Sequence, residues 1–123
     1  MNTVLWVVTV LLAVITFIPG IVKITQPRER LLENMAWVND FSQNQIRAIG
    51  ALEALAAVGL VVPAIVGIAP VLVPLAACGI VLIQVGAVLT HLKRREGALI
   101  AINVIMIALA VFVAWGRFGP YPL

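Results

Sequence analysis

The sequence predicts an all-α integral membrane protein, a four-helix bundle with a short amphipathic interfacial helix between spans 1 and 2. The first observation is composition: 63% of the 123 residues are hydrophobic and 11% are charged, whereas soluble domains are about 45–50% apolar and 25% charged. The second is four long apolar stretches, since a span needs about 20 such residues. We expect one domain, residues 1–123, with spans at about 3–22, 43–62, 70–90 and 98–116.

The first span is followed by a polar connection. Residues 3–22 lack the basic start and the small-residue cleavage site of a secretory signal, which predicts a retained span. Pro27 suits the first position of a helix, and apolar residues then recur at helical spacing among charged ones. This pattern predicts an amphipathic helix over residues 27–38 in the headgroup region, with Trp37 in the aromatic belt.

The remaining spans have start and stop signals. Ser42 and Gln45 match a capping box at the start of the second span. Pro63 and Gly67 predict a tight turn after it, and Pro70 is expected to begin the third span. A short basic loop, residues 91–97, then separates the third span from the fourth.

The basic residues predict how the chain is oriented. Seven of the eight Lys and Arg residues flank or occupy two loops: Lys23, Arg28, Arg30, Arg47, Lys93, Arg94 and Arg95. Because Lys and Arg concentrate on the cytoplasmic side of a membrane, we expect loops 23–47 and 91–97 to be cytoplasmic. Both termini would then lie outside.

Polar residues inside the spans mark a candidate site. An ionised carboxylate at mid-bilayer costs about 2.5–3.5 kcal/mol, so Glu53 is expected to face protein or water. Gln84 and Asn103 each lie about six residues from the same predicted membrane face, as Glu53 does. We therefore expect a polar cavity on the cytoplasmic side that includes Lys23, Gly50, Glu53, Gln84, His91 and Asn103.

Purely structural interpretations of these residues stay open. Glu53 could have a purely structural role, as an ion-pair or hydrogen-bond partner of Lys23, Arg47 or His91. His91 could simply be an interfacial residue. Gln84 and Asn103 are typical of interhelical hydrogen bonds. One His and one Glu do not make a metal site, and no nucleophile motif or phosphate-binding loop is evident. We predict no catalytic residue, no metal and no nucleic-acid binding.

Several segments resemble one family. Residues 17–23, ending in Lys23, resemble the end of the first span in DoxX-like membrane proteins. Arg47, Gly50 and Glu53, followed by residues 59–63, are similar to the second-span pattern of that family, and residues 86–91 fit its third span. The resemblance implies a four-helix protein of the bacterial inner membrane. It also implies that the candidate functional residues are Lys23, Gly50, Glu53 and His91.

Two functional interpretations follow. The first is a non-enzymatic membrane subunit or scaffold that assembles with itself or with a redox-related partner. The second is a quinone- or small-molecule-binding subunit of an oxidoreductase, with a polar cavity around Glu53 and His91. A third, a small transporter, is disfavoured because no inverted repeat is evident. The first interpretation is preferred, no cofactor is predicted, and a quinone is the ligand that the second would require.

Overall fold

A computed structural model describes the whole sequence, residues 1–123. Five α-helices follow one another: α1 (Asn2–Thr25), α2 (Arg28–Leu32), α3 (Gln43–Val66), α4 (Leu72–Lys93) and α5 (Gly97–Phe118). A 3₁₀ helix, Ala36–Asp40, lies between α2 and α3. All except α2 are long and apolar enough to cross a membrane. The predicted all-α four-helix bundle is confirmed.

The four long helices form a closed bundle. α1 packs most extensively against α3, and α4 against α5; contacts between α3 and α4 and between α1 and α5 complete the ring. We call the end formed by residues 23–47 and 91–97 the connection end, and the end that holds both chain termini the terminal end. A 24-residue helix is about 36 Å long at 1.5 Å per residue, which exceeds the roughly 30 Å hydrocarbon layer.

The helices extend beyond the predicted spans. α3 continues through Pro63 to Val66, so the turn predicted at Pro63 is wrong. Gly67 ends α3 instead, with a left-handed φ of 70° and an N–H that donates to the Pro63 carbonyl. Backbone groups in a membrane must be satisfied within the protein, which favours continuing a helix over breaking it. α4 begins at Leu72 rather than Pro70, with Pro74 in its first turn, where a missing N–H costs little.

The capping box at the start of α3 is confirmed. The Gln45 N–H donates to Ser42 Oγ at 3.2 Å, and the Ser42 N–H donates to Gln45 Oε1 at 2.9 Å. These two reciprocal bonds satisfy backbone donors that a helix start would otherwise leave free. The cap therefore sets where α3 begins, and with it the depth of Glu53.

The connection between α1 and α3 differs from the single amphipathic helix predicted over residues 27–38. α2 ends at Leu32, and the chain turns before the 3₁₀ helix begins. The cause is tertiary, because Leu31, Val38 and Ile46 bury one another in a small apolar cluster. A straight helix from residue 27 to residue 38 could not fold back in this way onto the start of α3.

The main apolar core occupies the middle and the terminal end of the bundle. All four long helices contribute to it: Leu12, Ala13, Ala57, Leu60, Val73, Ala77, Ile80, Met106, Ala110 and Val113. Helix association in a membrane depends on close packing more than on exclusion of water. The small residues in this core are consistent with such packing, and the polar residues lie towards the connection end.

Candidate functional site

A cavity of about 550 Å³ lies among the long helices towards the connection end. Each long helix contributes a polar side chain to its wall: Lys23 from α1, Glu53 from α3, Gln84 and His91 from α4, and Asn103 from α5. The structure thus brings together five of the six residues that the sequence analysis assigned to a polar cavity. Whether the cavity acts in function stays a prediction.

An ion pair joins α1 to α3 at the cavity wall. Lys23 Nζ donates to Glu53 Oε1 at 2.5 Å, and the two side chains are only 12% and 5% exposed. Arg47, another partner considered for Glu53, is exposed. Lys23 therefore compensates the buried carboxylate, as is usual for charges at membrane depth.

Gly50 does not line the cavity, contrary to expectation. It lies one turn from Glu53 in the contact between α1 and α3. A Cβ added at Gly50 would be 2.6 Å from the Gly20 carbonyl oxygen and 2.7 Å from Lys23 Cβ. A Cβ added at Gly20 would likewise be 2.8 Å from the Gly50 carbonyl oxygen. The two glycines let the backbones approach closely, which brings Lys23 within reach of Glu53.

His91 is buried and oriented by an acidic neighbour. Its Nδ1 lies 3.1 Å from Glu96 Oε1. An ionised carboxylate only accepts hydrogen bonds, so Nδ1 donates, and in the neutral ring Nε2 keeps a lone pair. Glu53 pairs with Lys23 and His91 with Glu96, which answers one of the open alternatives.

Gln84 and Asn103 are buried with unused hydrogen-bonding capacity. Gln84 Oε1 and Asn103 Nδ2 have no hydrogen-bond partner in the protein, although both residues line the cavity. These two atoms do not form the interhelical bonds that a structural role predicts. The cavity is thus lined by two side-chain amides that make no hydrogen bond within the protein, one on α4 and one on α5.

Aromatic side chains cover the connection end of the cavity. The Trp37 ring lies 5.3 Å from Lys23 Nζ, and its centroid is 6.3 Å from that of His91 in an edge-to-face arrangement. Phe41 packs edge-to-face on Trp37 at 5.7 Å. The sequence predicted Trp37 as an interface anchor and did not identify it as a cavity residue. Helical periodicity could not have shown this, because the segment is not one helix.

Polar contacts hold this aromatic cover in place. Arg28 Nε donates to the Phe41 carbonyl at 2.7 Å, and Arg28 Nη2 donates to the Asn39 carbonyl at 3.1 Å. Arg94 Nη1 donates to Asp40 Oδ1 at 3.1 Å, linking the cover to the loop after α4. Arg28 and Arg94, whose charges predict the orientation of the chain, therefore also position the cover.

Four membrane-capable helices around a polar cavity define a small multi-pass helical membrane protein. The chain belongs to the DoxX-like family, whose family model matches residues 7–113. The suspected resemblance is thus confirmed over most of the sequence. No match to a curated protein or to a solved structure was found.

Proposed function

We propose that this protein binds the polar head of a lipid-soluble small molecule in the cavity between its spans. The observation that carries the proposal is the pair of side-chain amides, on Gln84 and Asn103, that line the cavity and make no hydrogen bond within the protein. Leaving a buried polar group unsatisfied costs about 1–3 kcal/mol, and a head group that bonds to these amides would reduce that cost. A quinone is one ligand of this class, as the family resemblance suggests, since its carbonyl could accept a hydrogen bond from an amide of the wall and its reduced form carries hydroxyls.

The size and lining of the cavity support the same function. Small-molecule sites are typically about 300–1,000 Å³, mostly apolar, with a few placed polar groups. This cavity has about 550 Å³, and Ile49, Leu82 and Met106 are among its apolar wall residues. The role proposed is binding, with Lys23 and Glu53 holding the wall together; no residue is assigned to catalysis.

Native mass spectrometry after gentle detergent extraction tests this proposal. We expect a small molecule to accompany the wild-type protein and to be lost from Asn103→Leu, which removes one of the two unpaired amides from the cavity wall. Val104→Leu is the matched control, because Val104 is the next residue on α5 and faces outward. A ligand retained in both variants would contradict the assignment of the site, and wild-type protein with no small molecule would contradict the proposal.

A scaffold role is the second candidate. The outward face of the 26–42 connection leaves Glu29, Arg30 and Glu33 exposed beside the membrane-spanning helices, which is suited to a polar partner surface. Assembly with a second copy or with a redox protein would then be the function. The same mass-spectrometry experiment separates the two candidates, because a stoichiometric protein partner without a small molecule would favour the scaffold.

We also propose the bacterial inner membrane as the location, with loops 23–47 and 91–97 in the cytoplasm and both termini outside. The basis is the concentration of Lys and Arg at the connection end. A fluorescent protein that matures only in the cytoplasm, fused after Leu123, should stay dark, whereas an alkaline phosphatase fusion should be active. The opposite pattern would reverse the proposed orientation.

A further inference from the structure

We infer that the cavity opens sideways to the lipid between α3 and α4 and takes a neutral molecule whose head group carries a hydroxyl. This inference rests on the proposed function, and it specifies the route and the chemical class of the ligand. Three features of the structure carry it: the gap between α3 and α4, the balance of charges in the wall, and the unused hydrogen-bonding atoms.

The gap begins where close packing between α3 and α4 ends. Towards the terminal end, a Cβ added at Gly59 of α3 would lie 3.1 Å from Ala76 Cβ of α4. Residues seven apart share a helix face. Leu52 therefore lies on the same face of α3 as Gly59, and Ile83 on the same face of α4 as Ala76, both two turns nearer the connection end. Both border the cavity. The two helices therefore have the cavity between them at this level.

The cavity wall reaches the outer surface of the bundle. Leu52 and Leu82 both line the cavity, yet they are 56% and 74% exposed. Leu52 lies nine residues into α3, about 14 Å from its start at 1.5 Å per residue. That depth is inside a hydrocarbon layer about 30 Å thick. The exposed rim is therefore in contact with lipid, not with water.

The route from the aqueous side is covered. Trp37 lies over Lys23 and against His91, and Phe41 packs on Trp37. The hydrogen bonds from Arg28 to the Asn39 and Phe41 carbonyls hold this cover in place. A molecule that enters between α3 and α4 meets no such barrier, so lipid-soluble ligands are favoured.

The charges in the wall are already paired. Lys23 is engaged by Glu53 at 2.5 Å, and His91 faces Glu96 at 3.1 Å. An anionic head group would find no free cation on the wall, and a cationic one would find no free carboxylate. Burying an unpaired charge is costly, so the cavity favours a neutral head group.

The unpaired amides in the cavity wall favour a head group that both donates and accepts hydrogen bonds. The side-chain amides of Gln84 and Asn103 make no hydrogen bond within the protein, and each amide carries an N–H donor and a carbonyl acceptor. A hydroxyl donates one hydrogen bond and accepts up to two. An ether or a ketone can only accept, which would leave the amide carbonyls without a donor.

Trp37 provides a direct optical test. The other two tryptophans, Trp6 and Trp115, lie at the terminal end, so Trp6→Phe with Trp115→Phe leaves one reporter on the cavity wall. The protein is placed in phosphatidylcholine nanodiscs and titrated with 2-bromo-4-nonylphenol, whose bromine quenches tryptophan. Its methyl ether, 2-bromo-4-nonylanisole, and 3-bromo-4-nonylbenzoate are the matched probes without a hydroxyl donor and with a negative charge.

We expect saturable quenching by the phenol, with at least tenfold weaker binding of the ether and of the benzoate. Equal binding of the phenol and the ether would overturn the hydroxyl inference, and tight binding of the benzoate would overturn neutrality. Either result would leave the proposed function intact, since a molecule would still occupy the cavity. If none of the three probes quenches Trp37 saturably, the assigned ligand class is overturned. The proposed function fails only if native mass spectrometry also shows no bound small molecule.

The sideways route is tested separately by rates. Gly86 is exposed and lines the cavity, and an added side chain there meets no nearby atom. Gly86→Leu should slow association of the phenol at least threefold. Gly79→Leu is the control, because Gly79 lies seven residues away on the same face of α4 in similarly open space. Equal association rates in the two variants would overturn entry between α3 and α4.

Discussion

Removing the charge of Glu53 should destabilise the bundle through Lys23. In Glu53→Gln, the ammonium of Lys23 would remain 12% exposed without its carboxylate partner at 2.5 Å. Breaking a buried ion pair from one side costs about 3–5 kcal/mol. The Trp37 ring, 5.3 Å from Nζ, offsets part of this, since cation–π contacts contribute about 0.5–2 kcal/mol. We expect a net loss of about 2–4 kcal/mol in the free energy of unfolding.

The double variant distinguishes pairing from general damage. Lys23→Met alone leaves Glu53 without its cation and should also destabilise. In Lys23→Met/Glu53→Gln no charge remains to be compensated, and replacing a buried pair with uncharged residues of similar volume is often neutral. The double variant should therefore lose much less stability than the sum of the two single losses, with a coupling energy of about 2 kcal/mol, within the range for residues in contact.

The assay is reversible unfolding in mixed micelles, followed by far-UV circular dichroism. Glu33→Gln serves as the control, because Glu33 is exposed in the connection, and it should change stability by less than about 0.5 kcal/mol. Additive losses in the double variant would refute the reasoning. A loss below about 1 kcal/mol in Glu53→Gln would do the same, since it would place the pair among weak surface ion pairs.

Three further predictions concern the supports of the site. Gly50→Ala should lower the unfolding free energy by about 1–3 kcal/mol through overpacking, because its Cβ would lie 2.6 Å from a carbonyl oxygen of α1; Gly79→Ala, in open space, should be neutral or stabilising in the same unfolding assay. Ser42→Ala should cost about 1 kcal/mol by removing the cap of α3, visible as a lower melting temperature, and no change would mean that the cap is dispensable. Arg117→Ala should loosen the terminal end, because Arg117 Nη1 donates to Asn2 Oδ1 at 2.6 Å; faster amide exchange in the first turn of α1 would report it, and unchanged exchange would contradict it.

Much of the fold could be predicted from local sequence. Four apolar stretches are long enough to span a membrane, and the Ser42 and Gln45 pattern located the start of α3. The predicted ends of the helices were less accurate, since α3 continues past Pro63 to Val66. A proline removes one hydrogen bond, but within a membrane-spanning helix the neighbouring bonds and packing can tolerate that loss. Local rules for soluble helices therefore ended this helix too early.

The candidate site could be predicted only in part. Depth from the membrane face selected Glu53, Gln84 and Asn103, because the rise of a helix is constant. The family resemblance added Gly50, which the structure places between α1 and α3. Both lines of reasoning omitted Trp37, whose position depends on how the connection folds back after α2.

The sequence by itself determined that this chain is an all-helical membrane protein, where its apolar spans lie, and that a few polar groups share one depth. Those properties follow from composition and helical rise, which are local. Only the tertiary structure decided that Lys23, rather than Arg47 or His91, pairs with Glu53, and that Gln84 and Asn103 have atoms without partners. Such choices depend on the rotation and separation of the packed helices, and periodicity along one chain does not specify either.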